Sequence, residues 1–538
     1  KAGGEGEDCT AAQLNTINDA TTVAVNLTNV TALAASDLTD LNTLNTNIAE
    51  FTNTGNIATV NLTNDGGGSN GHVDFDVLDG IITAYKGRRS TVSFVPFSAD
   101  IIDIDSSDEL ANFLTHIGDN NNLTLDNQSI TVDSSVAVSV ANAKSLATDT
   151  TGTVTASIAT TQLVDTLVDL RQPDGSNNET NAWTIVIHGD NATNCTAAQL
   201  NTINAATTVA VNLDNVTALA ASDLDDLTTL HTNLAGFSNT GNIATINLTD
   251  GGSGTGDVDF GALHTVIGNY RGHANIQTTV SFVPDSGDTI VIDSDTELGY
   301  FLTHIGDNNN LTLSDQLITV NSSVAVSVDD ANALTADTTG TVTATIDPDL
   351  DVSVLAGLNA DGGNNALTIA IKSGDAENCT AAQLNTINAA TSLAINASAV
   401  TKLTADSISN IKTLLSAGNT DQFTANSFSS LATVVVNDAT LNASHLVDAI
   451  DAANTATDGT STEFTITAVD LINGTEANFS ALLTHESSSQ VSITDQNLTV
   501  QTESDGTGVD GIGEEAAAAA LQSILASLGL APSFAAEA

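Results

Sequence analysis

The chain has 538 residues, with 65 Asp and Glu against 10 Lys and Arg, a formal net charge of −55 and a pI near 4.1. Such a chain repels nucleic acid and anionic membrane, because binding either relies on Lys and Arg to neutralise phosphate. It is no disordered acidic tail either: hydrophobic residues make up 41% and aromatics only 3%, which predicts packed but thin, aliphatic cores.

The decapeptide that begins at Cys9 and ends at Asn18 returns unchanged from Cys195 and again from Cys379, 186 and then 184 residues later. The thirteen residues from Phe113 to Leu125 return from Phe301 to Leu313. A fixed period of this kind decides the architecture before any local feature does. The expected domains are residues 1–194, 195–378 and a shorter, diverged 379–511, followed by a C-terminal segment 512–538. Repetition also argues against an enzyme, since an active site is normally built once.

Along each unit, short strands alternate with short helices. Thr22–Leu27, Ile57–Leu62, Val136–Val140, Thr153–Ile158 and Trp183–Ile187 are rich in β-branched residues with a period of two. The Cys-Thr-Ala-Ala-Gln-Leu segments should each open a helix, with Leu14, Ile17 and their copies on its buried side. Ala35–Phe51 carries an apolar stripe, and Ser107–Ile117 has Leu110, Phe113, Leu114 and Ile117 at helical spacing. Ser106 with Glu109, and Ser294 with Glu297, fit a capping box, and Gly118 or Gly306 follows as a C-terminal cap. Ser90–Ile104 reads as a hairpin. The expected fold class is therefore α/β, a tandem array of short βα units with mixed sheets; the alternative is a mainly β array of sandwich-like domains. At the C-terminus, Glu514–Leu530 reads as an Ala-rich helix with Leu521, Ile524, Leu525 and Leu528 on one face. It is too short to span a membrane, and it predicts an assembly interface.

Several residue types invite a site. Asp119, Asn121 and Asp126, with their copies Asp307, Asn309 and Asp315, offer the oxygen ligands that Ca2+ prefers, though not at EF-hand spacing. Asp100, Asp103, Asp105 and Asp108, echoed by Asp288, Asp293 and Asp295, form a second acidic cluster. The competing reading of both is turn and cap chemistry. Cys9, Cys195 and Cys379 occupy equivalent positions; three thiols in an exported chain suggest an intermolecular disulfide, set against small buried residues at a helix entry. His116, His304 and His485 end equivalent helices, where the helix dipole favours them. Lys86, Arg88 and Arg89 form the one basic patch. Asn-x-Ser/Thr triplets at Asn26, Asn29, Asn61, Asn122, Asn194, Asn247, Asn310, Asn378 and Asn473 are candidate glycan acceptors. No Gly-x-Ser-x-Gly elbow or phosphate-binding glycine loop stands out.

Val140-Ala-Asn-Ala143 before Thr151-Gly-Thr-Val-Thr-Ala156, and Asp329–Leu334 before Thr339–Ile346, resemble the short Ala/Thr/Asp-rich repeats of large secreted surface proteins of cyanobacteria and other marine bacteria. The resemblance implies a surface-layer, sheath or adhesin component, and carries over no catalytic residue. No Met occurs, even at position 1, so a processed chain is expected. The sequence thus predicts a secreted, non-enzymatic structural protein that associates with itself into an extracellular filament, sheath or surface layer. No membrane span and no nucleic acid are expected, with cell-surface glycans as possible partners and Ca2+ as a possible cofactor. The alternative is the repeat stalk of a calcium-stabilised adhesin.

Overall fold

The computed structural model describes residues 9–63, 71–87, 92–98, 100–117, 122–171, 180–249, 256–272, 280–305, 310–360, 364–457, 462–467, 471–474, 476–492, 498–500 and 526. The protein is α/β, built of repeated βα units, and every strand pairing among the described residues is parallel. The chain divides into two compact units, residues 1–252 with 265–283, and residues 253–264 with 284–538.

In each unit the basic element is a coil that pairs with the next coil in the chain. In the first unit Leu33 pairs with Val60, Val60 with Phe94, and Phe94 with Leu123. A second ladder runs from Val73 to Ile102, Ile130 and Val154, and from Ala156 to Trp183. The second unit repeats the pattern: Val258, Ile290, Ile318 and Val342 stand in successive strands of one ladder, and Leu403, Val434 and Phe464 in another. Partners lie 24 residues apart for Ile130 and Val154, and 34 for Val60 and Phe94. Parallel pairing demands this spacing, because the chain must return to the start of the sheet before it can pair again.

Alternation then places the core. In Ile101–Ile104, Ser129–Val132 and Val154–Ile158 every second residue is buried. The buried residues stack on their ladder partners as a narrow aliphatic column. Helices pack beside the strands in chain order, Leu38–Thr46 on Phe75–Lys86 and Phe75–Lys86 on Ser107–Ile117. Where they meet, Phe75 and Phe113 make an edge-on contact at 5.0 Å, repeated by Phe260 and Phe301 at 5.0 Å. Trp183, the only Trp of the chain, is 1% exposed.

The decapeptide opens a helix in all three places, as expected, but its buried side holds in full only in the second and third copies. Thr10, Thr196 and Thr380 cap the helices Ala11–Asp19, Ala197–Asn204 and Ala381–Ala389, each in a complete capping box with Gln13, Gln199 or Gln383. Leu14, Leu200 and Leu384 are buried, as are Ile203 and Ile387, but Ile17 is 49% exposed. Two other expectations are corrected. Ser93–Val95 and Ile101–Ile104 are not a hairpin; they pair with different strands in separate parallel ladders, and among the described residues no sheet is mixed. The stripe in Ala35–Phe51 is divided: Ala32–Ser36 is a strand, Leu38–Thr46 a helix capped by Asp37, and Ile48–Glu50 a single 3-10 turn.

Candidate functional site

The acidic residues singled out in sequence are dispersed through cap and turn chemistry. Asp103 is held by His72, whose Nδ1 lies 2.7 Å from its carboxylate. Asp105 is exposed, and its backbone N–H donates to Glu109; Asp293 N–H donates likewise to Glu297, while the Asp293 carboxylate accepts from Asn321. Asp295 and Asp126 are exposed, and Asp315 accepts from the Ser286 hydroxyl at 2.7 Å. Asp119, Asn121, Asp307 and Asn309 lie outside the described residues, as do Gly118, Gly306, Arg88, Arg89, Leu521, Ile524, Leu525 and Leu528. Among the described residues no three His, Cys, Asp or Glu side chains converge to hold a metal ion.

Two buried carboxylates sit in these clusters. Asp100 is wholly buried and Asp288 nearly so, accepting the backbone N–H of Phe97 and of Asp285 respectively. Each closes the turn that leads into its strand. The neighbouring amides Gln128 and Gln316 are also buried, and donate to Pro96 and Pro284 carbonyls one coil away. These are polar ties between coils, needed because a backbone group in the interior costs free energy when left unmet.

The recurring histidines carry the most distinctive geometry. His116 is 5% exposed and its Nε2 meets Asp79 at 2.7 Å. At the equivalent place in the second unit, His304 meets His264 instead, its Nε2 lying 2.9 Å from the His264 Nδ1, and Tyr300 stacks flat on His264 at 4.1 Å. His485 lies 3.3 Å from Asp451. In every case the contact joins two neighbouring helices, a role the helix dipole alone does not explain. Sequence reasoning missed these partners because they lie more than thirty residues away in the preceding coil.

Two of the three cysteines are core residues. Cys195 and Cys379 are 0% exposed, and burial pushes both thiols up to about 11. The Cys379 thiol donates to the Asp375 carbonyl at 3.1 Å. A disulfide from either to another chain requires the fold to open there; Cys9 is half-buried. The candidate glycan acceptors divide by burial. Asn26, Asn29, Asn194 and Asn378 are exposed, Asn61 and Asn247 donate to the Leu33 and Leu219 carbonyls, and Asn122 and Asn310 are wholly enclosed.

An open groove of about 690 Å3 runs between three successive helices of the first unit, lined by Leu114, Ile117, Asn142, Lys144, Asp149 and Asp169 among others. Burial raises the Asp149 carboxyl above the usual range. The lining holds neither a nucleophile–base pair nor a set of convergent donors. No protein-family model matches this sequence, and no curated protein matches it.

Proposed function

We propose that this protein is an extracellular structural component that associates with itself into a filament, sheath or surface layer. The observation that supports this reading is the bonding of each coil, in parallel, to the next coil of the chain. A stack of this kind ends in sheet edges with unpaired N–H and C=O groups, and such edges accept further strands. A head-to-tail contact that does not close on itself then propagates into a polymer. The acidity suits a salty or divalent-rich medium, in which the self-repulsion of 65 acidic residues is screened. Calcium bound among the surface carboxylates fits the same setting.

Negative-stain microscopy of the purified chain, with and without calcium, tests the reading. Ordered polymers are expected. Particles that stay isolated at all concentrations would sink it and favour the adhesin stalk.

A further inference from the structure

The two units build one helix–helix contact from different residues. Phe75, Phe113 and His116 in the first, and Phe260, Phe301 and His304 in the second, make the same frame. The phenyl rings meet edge-on at 5.0 Å in both, and each histidine lies 6.1 Å from the first phenyl ring, at 60° and 62°. His116 and His304 are each 5% exposed. What faces them differs. Asp79 meets His116 at 2.7 Å and also accepts from the Asn112 amide. In the second unit His264 stands in the place of Asp79, and Tyr300 in the place of Asn112. The two exchanges fit each other, since the Tyr300 ring lies on the His264 ring at 4.1 Å and 7°.

A carboxylate facing an imidazole makes a charge-assisted contact, and the exchange of Asp for His gives that up. In its place two ring nitrogens from neighbouring helices, Nδ1 of His264 and Nε2 of His304, converge to 2.9 Å. Imidazole nitrogens bind transition metals at about 2.0–2.1 Å, so two in adjacent positions of a square-planar or octahedral ion stand about 2.9 Å apart. Across a tetrahedral angle the separation is about 3.3 Å. The pair therefore already has the span of two adjacent ligands of a tetragonal ion, and no helix need move. His304 is held by the core, and His264 by the ring of Tyr300. His264 itself is half-buried, which leaves an ion a way in and room for water at its other positions.

We propose that His264 and His304 form a binding site for a transition-metal dication of the tetragonal class, Cu2+ above all, with water completing its coordination. Ligation takes a bare lone pair on each facing nitrogen, so the ring hydrogen now between them moves to the other nitrogen of its ring. Tyr300 is a positioning residue that fixes the plane of the His264 ring. The site differs in kind from calcium binding by surface carboxylates, because imidazole suits copper and nickel where carboxylate and water suit calcium. The first unit supplies the control: its Asp79–His116 contact offers one nitrogen, facing a carboxylate already engaged by Asn112.

Titration of the full chain with Cu2+, with Ca2+ in large excess to occupy the surface carboxylates, tests the site by electron paramagnetic resonance. The tightest Cu2+ should be one per chain and should carry the hyperfine signature of two imidazole nitrogens. His264→Asp rebuilds the contact that the first unit already holds, so it keeps the fold, which circular dichroism checks. It should remove one nitrogen from the signal and weaken binding roughly tenfold or more. Tyr300→Asn leaves both ligands in place and should weaken binding by a smaller factor with the two-nitrogen signal intact. A wild-type chain that binds no Cu2+ under these conditions, or holds it through oxygen or a single imidazole, overturns the proposal. So does a two-nitrogen signal that survives in His264→Asp. Either result leaves the pair a plain hydrogen bond between helices.

Discussion

At the residue scale, several buried polar groups satisfy a backbone group of a neighbouring coil. Asn181 and Asn365 accept the N–H of Val154 and Val342 at 3.0 and 2.9 Å, and Asp375 accepts that of Val352 at 2.7 Å. Asn181→Ala should therefore cost about 1–3 kcal/mol, read as a lower urea midpoint, because the Val154 N–H is left buried and unmet. The acidic pairs at helix starts behave in the opposite way. Burial, and then the charge and hydrogen bond of Asp223, raise the Asp226 carboxyl above its ordinary value, and Asp37 acts similarly on Asp40. A raised carboxyl pKa in the folded state means stability that is present at low pH and lost as pH rises through it. Asp226→Asn should thus stabilise the protein at pH 7 by about 0.3 kcal/mol, the scale of like-charge pairs on a helix. The gain should vanish once the pH falls below the carboxylate range. Thermal melts of both chains across pH 3 to 7 check it, and a gain independent of pH would refute the assignment.

At the element scale, coil-on-coil contact leaves little room at the turns. A Cβ at Gly152 would meet the Gln128 carbonyl oxygen at 2.3 Å, and one at Gly340 the Gln316 oxygen at 2.3 Å. The obstacle is backbone in both places, so no rotamer relieves it. Gly152→Ala and Gly340→Ala should each destabilise by about 1–3 kcal/mol. Gly80→Ala, on an open helix surface with nothing within 4 Å, should be neutral or slightly stabilising. Denaturant unfolding of the three variants separates them. The helices of this array were readable where their caps were local, as with Thr196 and Gln199 or Ser294 and Glu297. The segment 90–104 was misread because two apolar runs close together resemble a hairpin. Which strand each run pairs with depends on coils up to 35 residues away.

At the scale of the whole molecule, the 184–186-residue period and the structural period are different quantities. The long period marks segments that have stayed alike in sequence. The structural period is the coil of 23 to 36 residues, whose members differ too much in length and residues to be recognised by comparison within the chain. Charge also acts at this scale. With −55 distributed over the chain, salt should raise the melting temperature by screening self-repulsion, whose range falls from about 10 Å at 0.1 M to about 3 Å at 1 M ionic strength. Calcium at matched ionic strength should raise it further by binding the folded state, and a chelator should reverse that increment. A melting temperature indifferent to calcium would remove divalent binding from the account.

Sequence by itself determined the α/β class, the strand and helix alternation, the three capped decapeptide helices and the aliphatic character of the core. Each of these follows from periodicity and capping within a dozen residues, where side-chain chemistry acts directly on the local backbone. Tertiary structure decided the rest. It set the parallel pairing of the described strands and the separation into two compact units. It brought His116 to Asp79 and His304 to His264, and enclosed Cys195, Cys379, Asn122 and Asn310. It also left Ile17 exposed where its copies are covered. Those outcomes depend on which coil lies beside which, and identical residues such as Ile17 and Ile203 differ because burial belongs to the neighbour that packs on a residue.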